Sequence, residues 1–194
     1  MSQPEAAAPP ARETGDGLMP GDPAPRQLLE RILRVDQAGE FGAVRIYQGQ
    51  RAVLGRSPTC GESLRKMEEE ERRHLQTFNE LIGQRRVRPT LLQPLWHVVG
   101  FALGAGTALL GEKAAMACTV AVEEVIEGHY AGQLEQLGDD EADLKKTVGE
   151  FRDDELHHRD LGLAAGAEQA PAYPLLSAAI KTGARLAIWL SERV

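Results

Sequence analysis

Cysteine is scarce in this chain. Cys60 and Cys118 stand far apart and outside any CxxC, which argues against a disulfide framework or a zinc site and disfavours iron–sulfur chemistry. Both are expected to be bystander thiols in a reducing compartment. Aromatic residues make up only 5%, and no β-branched run alternates with polar residues, so helix is the expected element. Positive charge is short: 22 Lys and Arg against 29 Asp and Glu leave a net charge of -7. That is the wrong sign for a nucleic-acid footprint, though it does not exclude a membrane partner. A signal peptide is not expected either. The first 25 residues, "MSQPEAAAPPARETGDGLMPGDPAP", lack an apolar core, and their acids argue against a transit peptide. Residues 1–25 are expected to be a disordered Pro/Gly/Ala-rich tail.

What is present suits one domain over residues 26–194, since 42% of the 194 residues are hydrophobic. Long helical periodicities cover 26–54, 62–82, 112–137 and 142–163, and a last amphipathic segment covers 175–190. "GRSP" stops the first, and Gly83 is the expected stop of the second. Between the second and third lies "QRRVRPTLLQPLWHVVGFALGAGTALLG". Its residues 95–110 are apolar apart from His97 and Thr107, yet shorter than the ~20 residues that cross a bilayer. An interfacial insertion and a buried crossover are both open. Its "GAG" is no dinucleotide motif, because no strand precedes it. Electrons for any redox chemistry must therefore come from outside.

One pattern occurs twice. Glu40 is followed 31 residues later by Glu71, with His74 at i+3; Glu123 is followed 32 residues later by Glu155, with His158 at i+3. Tyr47 and Tyr130 each lie seven residues after the lone glutamate. Helical phase, ~100° per residue, selects among the many acids. In "EEEE", Glu71 falls centrally on the stripe of Leu64, Met67, Leu75, Phe78 and Ile82. Glu69 points away, and Glu68 and Glu70 flank. On the fourth helix Glu155 and His158 sit on the stripe of Leu144, Val148 and Phe151, with His157 opposite. On the third, Glu123 shares a face with Met116, Tyr130 and Leu134; Glu124 turns away and Glu127 stays ambiguous. On the first, Leu33, Val44 and Tyr47 surround Glu40, with Asp36 one turn before it.

A carboxylate in an apolar stripe is costly unless paired or metal-bound. A buried salt-bridge pair would explain one Glu-x-x-His, but not two in phase. Four converging glutamates carry four negative charges, which two divalent ions cancel, with the histidines as neutral ligands. Carboxylate and imidazole together suit iron or manganese. One Glu from each of two helices plus Glu-x-x-His from each of the others is the ligand set of di-iron and di-manganese bundles. The expected fold is all-α: a ferritin-like four-helix bundle with one long apolar crossover and an additional C-terminal amphipathic helix. Tyr47 and Tyr130 are expected to be core tyrosines with satisfied hydroxyls, with a supporting role at the metals left open.

The stretches "ILRVDQAGEFGAVRIYQGQ", "RPTLLQPLWHVVGFALGAGTALLGEKAAMACTVAVEE", "FRDDELHH" and "LSERV" resemble the Coq7 family, di-iron demethoxyubiquinone hydroxylases of ubiquinone biosynthesis. The resemblance runs from about Leu28 to Val194. It implies two iron ions per chain, held by Glu40, Glu71, His74, Glu123, Glu155 and His158, with Glu71 and Glu155 as bridging candidates. It implies that the crossover and last helix form a membrane-facing surface where a polyprenyl quinol enters. His129 and Tyr130 match a family "HY" pair and Arg185 a basic position near the C-terminus; with Tyr47 they are candidates for supporting or substrate roles. Gln37 stands where family members often have His.

The implied reaction is monooxygenation: O2 supplies one oxygen atom to the open ring carbon of demethoxyubiquinol and one to water. The alternatives are another ferritin-like di-metal protein, whether ferroxidase, iron store or peroxide-consuming enzyme, and a scaffold for other ubiquinone-biosynthesis proteins. The implied location is peripheral, on the cytoplasmic face of a bacterial inner membrane, with a mitochondrial inner membrane as the lesser alternative. An oligomer is compatible with this reading; nucleic acid is not.

Overall fold

The computed structural model describes residues 24–194, and the expected tail lies almost wholly outside them. Six α-helices follow one another: α1 Pro25–Leu54, α2 Gly61–Arg85, α3 Gln93–Leu109, α4 Glu112–Gln136, α5 Ala142–Ala164 and α6 Tyr173–Ser191. Short 3-10 turns precede α5 and α6, and no strand occurs among the described residues. α1 pairs with α2 and α4 with α5 as two hairpins, and α3 is the crossover that joins them. This is the ferritin-like arrangement of a four-helix bundle.

The crossover is more regular than a connection. Residues 93–109 form a 17-residue helix whose main neighbour is α1. Its glycines explain the fit. A Cβ on Gly100 would lie 3.0 Å from the Gly42 carbonyl oxygen, and one on Gly104 would overlap the Ile46 backbone. Glycines four apart share one helix face, so two backbones can approach closely. The face opposite is apolar and exposed at Leu95, Val98 and Val99. One face of this stretch is thus packed against α1, as a crossover within the fold requires, and the other is exposed.

Gly83 does not stop α2. The helix runs on to Arg85, and Arg86 ends it in the left-handed region at φ 54°. Burial of Val87, whose N–H reaches the Ile82 carbonyl, sets that end instead. The core has two apolar layers. Tyr47, Leu64, Met67, Met116 and Val120 fill one end of the bundle; Ile32, Leu33, Phe78, Tyr130, Leu144 and Val148 fill the other. A third cluster joins Ile46, Ala121 and Val122 to Leu103 of α3 and Leu176 and Ile180 of α6. Between the two layers lie the buried acids.

Candidate metal centre

Each bundle helix delivers its acid to that middle layer. Glu40 comes from α1, Glu71 and His74 from α2, Glu123 from α4, and Glu155 and His158 from α5. All six are at most 1% exposed. They fall into two groups, Glu40–Glu71–His74–Glu155 and Glu71–Glu123–Glu155–His158; within each, one ligand atom per residue lies within 4.8 Å of the others. Glu71 and Glu155 belong to both groups. The remaining acids of "EEEE" divide as helical phase requires only in part. Glu69 is exposed beside Arg65, whereas Glu68 is buried between Arg51 and Arg72. Glu127 pairs with Arg152 and Glu124 with Lys181, and His157 is exposed.

Two acids complete the arrangement, and sequence reasoning passed over both. His74 Nε2 meets Asp154 Oδ2 at 3.1 Å, and His158 Nε2 meets Glu70 Oε2 at 2.8 Å. Each acid directly precedes the glutamate of a Glu-x-x-His and holds the histidine of the opposite helix. The repeated unit is therefore acid-Glu-x-x-His, a signal visible at 70–74 and 154–158. With Nε2 committed outward, each Nδ1 faces the centre. His74 Nδ1 lies 3.4 Å from Glu155, and His158 Nδ1 lies 3.0 Å from Glu71. Such outer carboxylates fix the tautomer of a ligating imidazole.

The tyrosines cross over in the same way. Tyr47 of α1 donates to Glu123 Oε1 of α4 at 2.6 Å, and Tyr130 of α4 donates to Glu40 Oε1 of α1. Burial and the adjacent glutamate push both phenols well above their ordinary values, so they stay protonated donors. Each bond ties down one oxygen of a lone glutamate and leaves the other free. The rest of the notable residues lie elsewhere. His129 sits beside Gln133 at the rim of a pocket, and Arg185 is exposed on α6 beside Lys181, Ser177 and Thr182. Gln37 bridges Asn79 and Gln93 at 3.0 and 2.8 Å, linking α1 to α2 and α3.

The donor set fits a pair of metal ions. Glu40 Oε2, both oxygens of Glu71 and Glu155, Glu123 Oε2, and Nδ1 of His74 and His158 are all buried without a hydrogen-bond partner. Eight orphaned inward atoms are far outside what a folded core tolerates without a ligand. The metal-free charge balance is strained accordingly. Burial, then Glu155, pushes Glu71 and Glu123 well above the carboxylate range. Burial alone would lower the imidazoles, yet neighbouring glutamates hold His74 up at about 11 and His158 up at about 12. Burial would likewise raise Glu155, but the two histidines hold it down at about 2. Protons thus do in part what divalent cations do in full.

Known proteins resemble this chain over most of its length. The family described as "Ubiquinone biosynthesis protein COQ7" matches residues 27–191. A 3-demethoxyubiquinol 3-hydroxylase from Rhodospirillum rubrum is 65% identical over 183 residues, covering 94% of this chain and 86% of the relative. The human mitochondrial NADPH-dependent 3-demethoxyubiquinone 3-hydroxylase is 54% identical over 173 residues, 87% of this chain and 79% of its own. The mitochondrial 5-demethoxyubiquinone hydroxylase of Saccharomyces cerevisiae is 45% identical over 183 residues, 86% of this chain and 78% of its own. A match along nearly the whole described bundle, residues 27–191, places the chain in the COQ7 family.

Proposed function

We propose that this protein is a 3-demethoxyubiquinol 3-hydroxylase that works with two iron ions and O2. The observation that carries the reading is the pair of four-ligand groups sharing Glu71 and Glu155. Glu40 and His74 would complete one iron site, Glu123 and His158 the other, with Glu71 and Glu155 bridging. Two irons bound there supply O2 reduction and transfer of one oxygen atom to the quinol ring.

The chain's own residues do the rest. Asp154 and Glu70 hold the imidazoles with Nδ1 inward. Tyr47 and Tyr130 orient the two lone glutamates, and Phe78 and Phe151 pack beside His74 and Tyr130 and keep water out. Substrate comes from a membrane. No helix among the described residues is long and apolar enough to cross one, but α3, the Leu110 that follows it, and α6 expose Leu95, Val98, Leu109, Leu110, Leu186 and Trp189. That surface suits interfacial docking and quinol uptake. Several relatives are named as NADPH-dependent, so a reduced nicotinamide is the reductant to try first.

The test is isotopic. Protein loaded anaerobically with Fe(II) receives a short-tail demethoxyubiquinol, NADPH and 18O2. One labelled oxygen atom in the quinone, lost in Glu71→Ala, is the expected result. An unchanged quinone with the iron oxidised would overturn the reading in favour of a ferroxidase or iron store.

A further inference from the structure

The orphaned inward atoms lie in a layer closed by apolar side chains at both ends of the bundle, so a metal ion has to come in from the side. A hydrated divalent cation gives up its water at low cost only where carboxylate or imidazole replaces it at each step. The flanks of the bundle differ in what they offer. α1 packs along α2 and α4 along α5, while α3 lies against α1 and α6 against α4. α2 and α5 do not pack closely on each other. Their seam is closed by side chains, and two of the closures pair an acid with a histidine: Glu70 with His158, and Asp154 with His74.

We propose that Glu70 and His158 form the gate through which metal ions enter the centre from solvent. The proposal rests on the two-metal reading of the site, not on the reaction carried out there. The Glu70 side chain is 33% exposed, and its Oε2 accepts from His158 Nε2 at 2.8 Å. Across the same ring, Nδ1 stands 3.0 Å from Glu71 and 3.5 Å from Glu155, the two glutamates that both ligand groups share. One imidazole thus separates a carboxylate in contact with water from unpartnered carboxylates at the centre. An ion captured by Glu70 reaches them when the ring swings aside, and the ring closes behind it with Nδ1 inward. Arg73 approaches the other Glu70 oxygen only to 3.5 Å and from an exposed position, a weak surface pair that an arriving dication displaces.

The second bridge is built alike but is braced. Phe151 stacks on the His74 ring with 3.9 Å between centroids, and Phe78 meets Phe151 edge-on at 5.5 Å. Turning His74 breaks that stack. His158 has no stacked ring among the described residues; Tyr47 meets it edge-on at 6.2 Å. Exposure alone would favour the His74 side, since the Asp154 side chain is 48% exposed. The brace decides the other way: the acid there can meet an ion, but the ring behind it is clamped. The two halves of the centre, symmetric in their ligands, therefore differ in how easily they open.

Loading kinetics test the gate without any turnover. Glu70→Gln and Asp154→Asn make the same exchange on the two sides: each keeps an oxygen for the imidazole Nε2 and removes the charge. Metal-free protein is mixed rapidly with Mn(II), and uptake is followed by loss of the free-ion EPR signal. Both variants should lose similar equilibrium affinity. Glu70→Gln alone should load slowly, by ~10-fold or more, while Asp154→Asn stays near the wild-type rate. Adding Phe151→Leu to Glu70→Gln releases His74 and should return fast loading through the Asp154 side. A wild-type loading rate in Glu70→Gln, equal slowing in both amides, or a double variant that stays slow would overturn the gate at Glu70 while leaving the metal site intact. A wild type that takes up no Mn(II) would sink the two-metal reading and the gate together.

Discussion

Single atoms decide the chemistry at the residue scale. Because Glu70 and Asp154 each hold one imidazole, removing either should loosen one metal site without unfolding the bundle. Glu70→Ala and Asp154→Ala should each weaken metal binding ~10–100-fold, measured by Fe(II) or Mn(II) titration against a competing chelator. Equal losses are expected from the crossed symmetry; a loss under twofold in either would contradict the assignment. Acidity gives a second expectation. In the metal-free protein His74 sits at about 11 and His158 at about 12, against ~6.5 for a free imidazole. Values raised on folding contribute stability that is complete below pH ~6.5 and is lost as pH climbs towards the folded values. Glu71 and Glu123, also raised, act in the same sense. Glu155 acts oppositely, but its contribution fades only as pH falls below 4.5 towards about 2. The melting temperature of the metal-free protein should therefore fall from pH 6.5 to 9, at up to ~1.4 kcal/mol per pH unit for each proton held. Bound metal should flatten that slope, because the ions displace the protons. Periodicity could separate Glu71 from Glu69 because burial follows phase. It could not assign Glu70 or Asp154, whose partners sit on another helix.

At the scale of elements, α3 shows why composition alone left two readings open. Glycines four apart at 100 and 104, set among apolar residues, suit both lipid contact and tight packing. Only the close approach of α1 shows that the glycine face is the packed one. Gly104→Leu should force the two backbones apart, costing about 1–3 kcal/mol or more and lowering the melting temperature by roughly 5–10 °C. Gly106→Ala, where nothing lies within 4 Å of a new Cβ, is the control and should melt near the wild type. The helix boundaries follow the same logic. Proline at the starts of α1, α3 and α6 was readable. The end of α2 was not, because it is set by Val87 and the left-handed Arg86, not by the nearest glycine.

The whole molecule carries a net charge of -7, which the membrane docking proposed above has to accommodate. Anionic lipid repels it as a whole, so such docking would rest on apolar area. The exposed side chains of α3 and α6 supply that area: Leu109 is 74% exposed, Leu110 68% and Leu186 55%. Each leucine fully buried in acyl chains contributes roughly 1.5–3 kcal/mol, and Trp189, 50% exposed, is suited to the headgroup boundary. Scaled by those exposures, the three leucines together contribute about 3–6 kcal/mol, a factor of roughly 100 to 10,000 in partitioning, since each ~1.4 kcal/mol is a factor of ten. The combined variant Leu109→Ser, Leu110→Ser and Leu186→Ser should therefore fall off neutral phosphatidylcholine vesicles in a flotation assay, by ~100-fold or more in partition coefficient. Its metal content should not change, because none of the three side chains reaches the carboxylate layer. Added salt should strengthen wild-type attachment to vesicles that contain anionic lipid, by screening the repulsion. Salt-induced release would mean that a basic patch such as Lys181 and Arg185 holds the protein there, and the apolar face would lose its role.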